Sequence, residues 1–268
     1  MKTLLTHPRP HLDDICGIWL IKKYLPGWAD ATIDFTPATT TRRDDADTYM
    51  VGIGRGLFDE HKGDIGESAT TLVWKHLRKE VKDTHDVAAL DLLTEWVRKG
   101  DTSEHDASEM VAHGSWLPAE QLHASYVRHG KDSRALYEFG AALCENALLR
   151  YRNEVELEHD WKNRVEFDTP WGRGVGLTTD ASGADDFAYS AGFVVIVYVH
   201  PKNGYRGYRA TPDSTVDLTA SHAYLTETDP KASWFLHHSK KLLLAGSDVA
   251  PETPLSKLSL DQLIKAIR

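Results

Sequence analysis

The chain has 268 residues, 41% of them apolar and 26% charged, which excludes a fibrous or intrinsically disordered protein and allows one large domain or two. Its formal charge of -9 argues against broad, sequence-blind wrapping of a polyanion, while a local basic groove stays compatible with it. Cys16 and Cys144 stand far apart and outside any CxxC, which excludes a disulfide framework and a thiolate zinc motif and fits a reducing compartment.

Lys2 to Thr6 has the texture of a short strand, too brief an apolar run for a signal-peptide core before His7, Arg9 and His11. No later stretch approaches the roughly 18 uncharged apolar residues of a membrane span. The expected location is therefore cytoplasmic, without membrane association. Ile15 to Tyr24 shows helical spacing and is stopped by Pro26 and Gly27. The polar run from His7 to Asp14 thus falls between a strand and a helix, the carboxyl end of a strand, where open parallel sheets bind ligands.

Thr32 to Pro37 and Tyr49 to Ile53 are further strand candidates, and Gly52, Gly54 and Gly56 let the backbone turn closely before Phe58 to Lys62. Ser68 to Lys79 and Val87 to Lys99 are predicted helices, the second ending at Gly100 with Asp101 just beyond. Ser133 to Glu158 is a long amphipathic helix leading toward a second domain. Beyond it the composition turns to Gly, aromatic and β-branched residues. Hairpins are predicted over Arg164 to Thr179 and over Gly192 to Ala210, the latter turning at Pro201 to Gly204. The expected class is α/β: an N-terminal parallel-sheet domain over residues 1–158 and a smaller mixed α+β domain over 159–268.

Three clusters could carry chemistry. His7-x-x-x-His11-x-Asp13-Asp14 places nitrogen and carboxylate donors within eight residues. Asp59-Glu60-His61 follows a predicted strand, and Asp101 with Glu104 and His105 sits at a helix end. Carboxylates suit Mg or Mn, and imidazole nitrogen shifts the preference toward Mn, Co, Ni or Zn. An acidic pair such as Asp13 and Asp14 is equally well an N-cap and dipole partner. His85, His113, His123, His129, His159 and His222 have no partner at ligand spacing and are expected on the surface or in helix packing. Trp19 and Trp96 are expected in the core.

The pattern His7, His11-x-Asp13, Asp59-x-His61 and downstream Asp101 resembles the DHH phosphoesterase superfamily, and within it the Myg-type exonuclease family. The segment from Glu67 to Leu77 is similar to that family's stretch after the DHH signature. Val194 to Val199, Arg206 to Ala210 and Trp234 to Ser247 resemble its C-terminal hairpin and His-Ala-Ser-Gly element. The resemblance implies a DHH-like N-terminal domain and a metal-dependent phosphoesterase or nuclease-like hydrolase. Its substrate would be a phosphodiester of a short single-stranded nucleic acid or a nucleotide.

By that resemblance His7, His11, Asp13, Asp59 and Asp101 are metal ligands, the metal being Mn, with Mg, Co or Zn open. Glu60 would be a ligand or base, and His61 would contact the scissile phosphate or donate to the leaving group. His237, His238, Lys240 and Lys241 would hold substrate. Arg206 and Arg209, interleaved with Tyr205 and Tyr208, suit single-strand stacking or, equally, a charged edge hairpin. A homodimer stays open. Two departures stand out: the signature's middle His is Glu60, and the Asp expected before it is Gly52. In the family that Asp bridges two metals, so the expectation here is a single metal or a weakened pair. The segment Arg9 to Ile21 also resembles the ChrB chromate-resistance family, implying as the alternative a non-catalytic metal- or oxyanion-binding sensor.

Overall fold

The protein is described by a computed structural model covering residues 1–41, 44–63, 66–105 and 118–267. It divides into two compact units, Met1–Arg152 and Asn153–Arg268. The sequence places the change of domain after residue 158, within the same long helix.

In the first unit β1 (Thr3–Thr6) lies between β2 (Thr32–Phe35) and β3 (Thr48–Met50), all parallel, with Thr3 in register with Thr32 and Thr48. Leu4 and Leu5 of β1 are buried, as a strand paired on both edges requires. The chain leaves β1 at His7 and enters α1 (Leu12–Tyr24) one turn earlier than the apolar spacing suggests. The early start has a local cause: His11 is the N-cap, and Asp14 reaches back to accept from its backbone N–H at 2.8 Å. Asp13 and Asp14 therefore belong to the helix's first turn.

α1 is apolar on most sides and buried from Asp13 to Ile21, packed chiefly against α2 (Ala69–Leu77). Phe58 anchors the loop after β3. It is fully buried, edge-on to Tyr49 and His76, a burial worth roughly 1.5–3 kcal/mol.

α3 (Thr84–Asp101) runs through Gly100, contrary to the predicted stop there. Gly100 keeps a helical backbone, and the left-handed residue that follows the helix is Ser103 at φ 59°. Asp101 is thereby held on the helix. α4 (Pro118–His129) and α5 (Ser133–Trp161) follow, α5 continuing from the first unit into the second.

The second unit is a mixed sheet of order β4-β5-β6-β7-β9-β8, with β4 (Val165–Thr169), β5 (Gly172–Thr178), β6 (Val195–Val199), β7 (Arg206–Ala210), β8 (Phe235–Leu236) and β9 (Leu242–Ala245). Both predicted hairpins form, β4 with β5 and β6 with β7. α6 (Ala184–Ser190) crosses between the parallel pair β5 and β6. Val195 and Val197 face a core with Tyr208, Leu218 and Leu225, and Ile196 faces the opposite core with Val175, Leu177 and Phe193. α7 (Thr219–Thr228) and α8 (Leu260–Ile264) complete the unit, and the Tyr208 hydroxyl donates to the Leu263 carbonyl at 2.9 Å.

Candidate metal centre

The carboxyl end of β1, the first turn of α1, the loop after β3 and the last residue of α3 surround one cavity of about 430 Å³ in the first unit. His7, His11, Asp13, Asp14, Glu60, His61 and Asp101 line it, with Gly52 and Ala38. The three sequence clusters, far apart along the chain, thus share one wall. Within it the donor atoms of His7, His11 and Asp14 lie within 4.8 Å of one another, as do those of Asp13, Glu60 and Asp101.

His7 is fixed at both ring nitrogens. Nδ1 is 2.8 Å from the Pro8 carbonyl, which can only accept, so Nδ1 carries the hydrogen; Nε2 is 3.0 Å from Asp14 Oδ2. The contact with Asp14 is the main reason the His7 pKa is raised. Asp13 is buried and accepts from the Ala69 and Thr70 amides at 2.8 and 2.9 Å, so it caps α2 from a neighbouring helix. Burial, then the charges of Asp14, Asp101 and Glu60, push its carboxyl up to about 8. Burial likewise raises Glu60 to about 7 and raises Asp101.

The chemistry of this donor set fits a divalent cation. Four carboxylates face the cavity without a Lys or Arg among its lining residues, and Glu60 Oε2 is buried with no hydrogen-bond partner. Buried like charges of this kind need protons or a cation.

Asp59, expected as a ligand, is grouped with Glu60 and His61, their donor atoms within 4.8 Å of one another. Buried at 2% exposure, it does not line the cavity. Its Oδ2 accepts from the Arg55 amide, and its Oδ1 from the His61 amide at 3.0 Å and from His61 Nδ1 at 2.8 Å. These contacts close the turn over Glu60–Lys62 and hold the imidazole. The His61 side chain is 69% exposed, and its pKa is raised first of all by the Asp59 contact.

A second cavity of about 420 Å³ shares His11, Asp13 and Asp101 with the first and is walled by Trp96, Val97, His105 and His123. Trp96 is thus a cavity residue as well as a packing one, its ring 4.0 Å from that of His105. His123, expected on the surface or in helix packing, is exposed and also belongs to this wall. The apolar spacing that assigns Trp96 to the core does not distinguish a core face from a cavity wall. His113 lies outside the described residues. Glu104, grouped in the sequence with Asp101, instead pairs with Arg98 at 2.9 Å.

The residues expected to hold substrate are all in the second unit. Arg206 donates to the Leu258 and Gly204 carbonyls, and Lys241 to the Ser214 carbonyl, so these two cations tie their own unit together. Arg209 pairs with Asp185 and Lys240 with Asp217, each at 2.9 Å. The His237 ring lies tilted against that of His238, ring centres 3.9 Å apart, and contacts Ser239 Oγ at 2.8 Å.

No family model and no curated protein matches the chain. Among solved structures it is similar to a pGpG-specific phosphodiesterase, PggH, from Vibrio cholerae, at 12% identity and a TM-score of 0.38 over 99% of this chain and 97% of that one. It is also similar to RecJ from Thermus thermophilus in complex with Mg2+, at 12% identity and a TM-score of 0.29 over 99% of this chain and 49% of that one.

Proposed function

We propose that the chain is a metal-dependent phosphodiester hydrolase acting on a nucleotide or short single-stranded nucleic acid. The observation that carries this reading is the convergence of His7, His11, Asp13, Asp14, Glu60 and Asp101 on one cavity beside the His61–Asp59 pair. A divalent ion held by such donors supplies Lewis acidity toward a phosphate oxygen and acidifies a water. Mn suits a mixture of imidazole and carboxylate ligands, and Mg, Co and Zn are the other candidates.

The protein's own groups divide the remaining work. Asp59 holds the Nδ1–H of His61, which leaves Nε2 to carry the proton a departing alkoxide needs. The Asp59 contact raises the His61 pKa, which favours retention of that proton. Glu60, buried and raised to about 7, accepts a proton from the attacking water or serves as a ligand. The adjoining cavity walled by Trp96, His105 and His123 offers a nucleobase an aromatic lining. An oxyanion sensor is less well served, because a bare anion would meet four carboxylates and no Lys or Arg in this lining.

The test is Mn-dependent hydrolysis of a dinucleotide, a short RNA and a short DNA by the wild type, Asp101→Asn and His61→Ala. Cleavage abolished by Asp101→Asn and strongly slowed by His61→Ala supports the hydrolase. Bound metal without cleavage of any of the three replaces it with the binding protein.

A further inference from the structure

Position 52 sits in the centre wall, and its glycine is required twice over. Its φ of 69° lies in the left-handed region. A Cβ built there would come within 1.8 Å of Asp14 Oδ1, far inside van der Waals contact. The volume a side chain at position 52 would take is therefore already filled, and what fills it is a carboxylate from α1.

Asp14 is 4% exposed, and its two oxygens are used unequally. Oδ2 accepts from the His11 amide at 2.8 Å and lies 3.0 Å from His7 Nε2. Nδ1 of His7 faces the Pro8 carbonyl, which turns Nε2 toward Asp14. Oδ1 points to the Gly52 side of the cavity.

We infer that Asp14 is a metal ligand delivered into the space left by Gly52, and that with His7 and His11 it forms a nitrogen-rich cation position beside a separate all-oxygen position of Asp13, Glu60 and Asp101. The two donor sets share no residue, each is mutually within 4.8 Å, and both line the same cavity. They differ in chemistry. Two imidazoles and a carboxylate favour Co or Zn, and three carboxylates favour Mg or Mn. The centre is thus a pair of unlike sites rather than the single site that a missing residue at position 52 suggests. This inference rests on the metal centre of the proposed hydrolase.

Metal content is read on the full chain by elemental analysis after equilibration with Co and Mg and removal of free ions, together with the visible absorption of Co. The wild type is expected to hold two ions, one of them Co in a nitrogen-containing environment. Asp14→Asn, which keeps an oxygen for the His11 amide, is expected to lose the Co and keep the second ion. Gly52→Ala, which leaves every ligand in the sequence but drives a methyl into the Asp14 carboxylate, is expected to do the same. Asp101→Asn is expected to retain the Co absorption. In Asp14→Gly with Gly52→Asp the carboxylate returns from the other side, and two ions are expected again.

One ion in the wild type, or two ions held with unchanged affinity by Asp14→Asn or Gly52→Ala, overturns the inference. Two ions without hydrolysis of any phosphodiester would remove the hydrolase reading and leave Asp14 a ligand. Hydrolysis by a one-ion wild type would do the reverse.

Discussion

Asp13 and Thr70 grip one another twice: the Thr70 amide donates to Asp13 Oδ1 at 2.9 Å, and the Thr70 hydroxyl donates to the Asp13 main-chain carbonyl at 2.7 Å. Both residues are buried, so α1 and α2 are joined at the floor of the metal centre. Thr70→Val keeps the amide bond and removes the hydroxyl one. Its expected cost is about 1–2 kcal/mol of stability, the range for a lost buried hydrogen bond, measured by urea unfolding. An unchanged midpoint would show that the hydroxyl contributes nothing there.

Acidity should loosen or tighten the metal-free protein in a defined direction. Asp13 is raised from an ordinary 3.8 to about 8, so between these values the folded chain keeps a proton the unfolded chain has released. Stability therefore falls as pH rises across that interval. His7 acts with the same sign: its stabilisation is complete below 6.5 and is lost as pH climbs through its raised folded value. In chelator the melting temperature should be lower at pH 8 than at pH 5. Mn added at pH 8 should recover it, since a ligand of the folded state stabilises by mass action. A melting temperature that rises from pH 5 to 8 in chelator would contradict this picture.

For His61 the informative change is Asp59→Asn. The carboxylate raises the His61 pKa, so its removal should move the alkaline fall of kcat to lower pH. His61→Ala should lower kcat by about 10²–10⁴ and flatten that limb. A leaving group that needs no proton, such as nitrophenolate, should be cleaved by the two variants at nearly the wild-type rate. Equal losses on both kinds of leaving group would rule out proton donation.

Trp96 distinguishes base recognition from packing. Trp96→Ala should raise KM for a dinucleotide about 5- to 150-fold, the equivalent of about 1–3 kcal/mol of stacking, with kcat little changed. A phosphodiester without a base should notice nothing. A parallel rise for both substrates would assign Trp96 to the architecture alone.

The strands, most helices and both hairpins of this chain were legible because apolar periodicity and turn residues act over a few positions. The clusters around His7, Asp59 and Asp101 were legible as candidates for the same reason. What local pattern could not carry was the direction of a side chain. Asp59 and Asp101 are both acidic and next to turns, yet one closes its own turn and the other faces the cavity. The acidic pair at positions 13 and 14 offered a choice between capping and coordination, and the fold makes both compatible: Asp13 caps α2, Asp14 caps α1, and each still lines the centre. Arg206 and Lys241 were marked by charge, but their contacts with the Leu258 and Ser214 carbonyls, 52 and 27 residues away, leave no trace in spacing. Gly52 was visible as a missing carboxylate; that another helix fills its place depends on a tertiary contact.

That contact also constrains how such a chain can change over time. One pocket of space admits one carboxylate, which can be rooted on α1 or on the loop after β3 but not on both. An acidic residue at position 52 arising while Asp14 remains would place two like charges in a single volume, and losing Asp14 first would leave none. Passage between the two arrangements thus runs through a disfavoured intermediate in either order. Among relatives of this protein, Asp at position 14 should accompany Gly at position 52, and acid at 52 should accompany a small or neutral residue at 14.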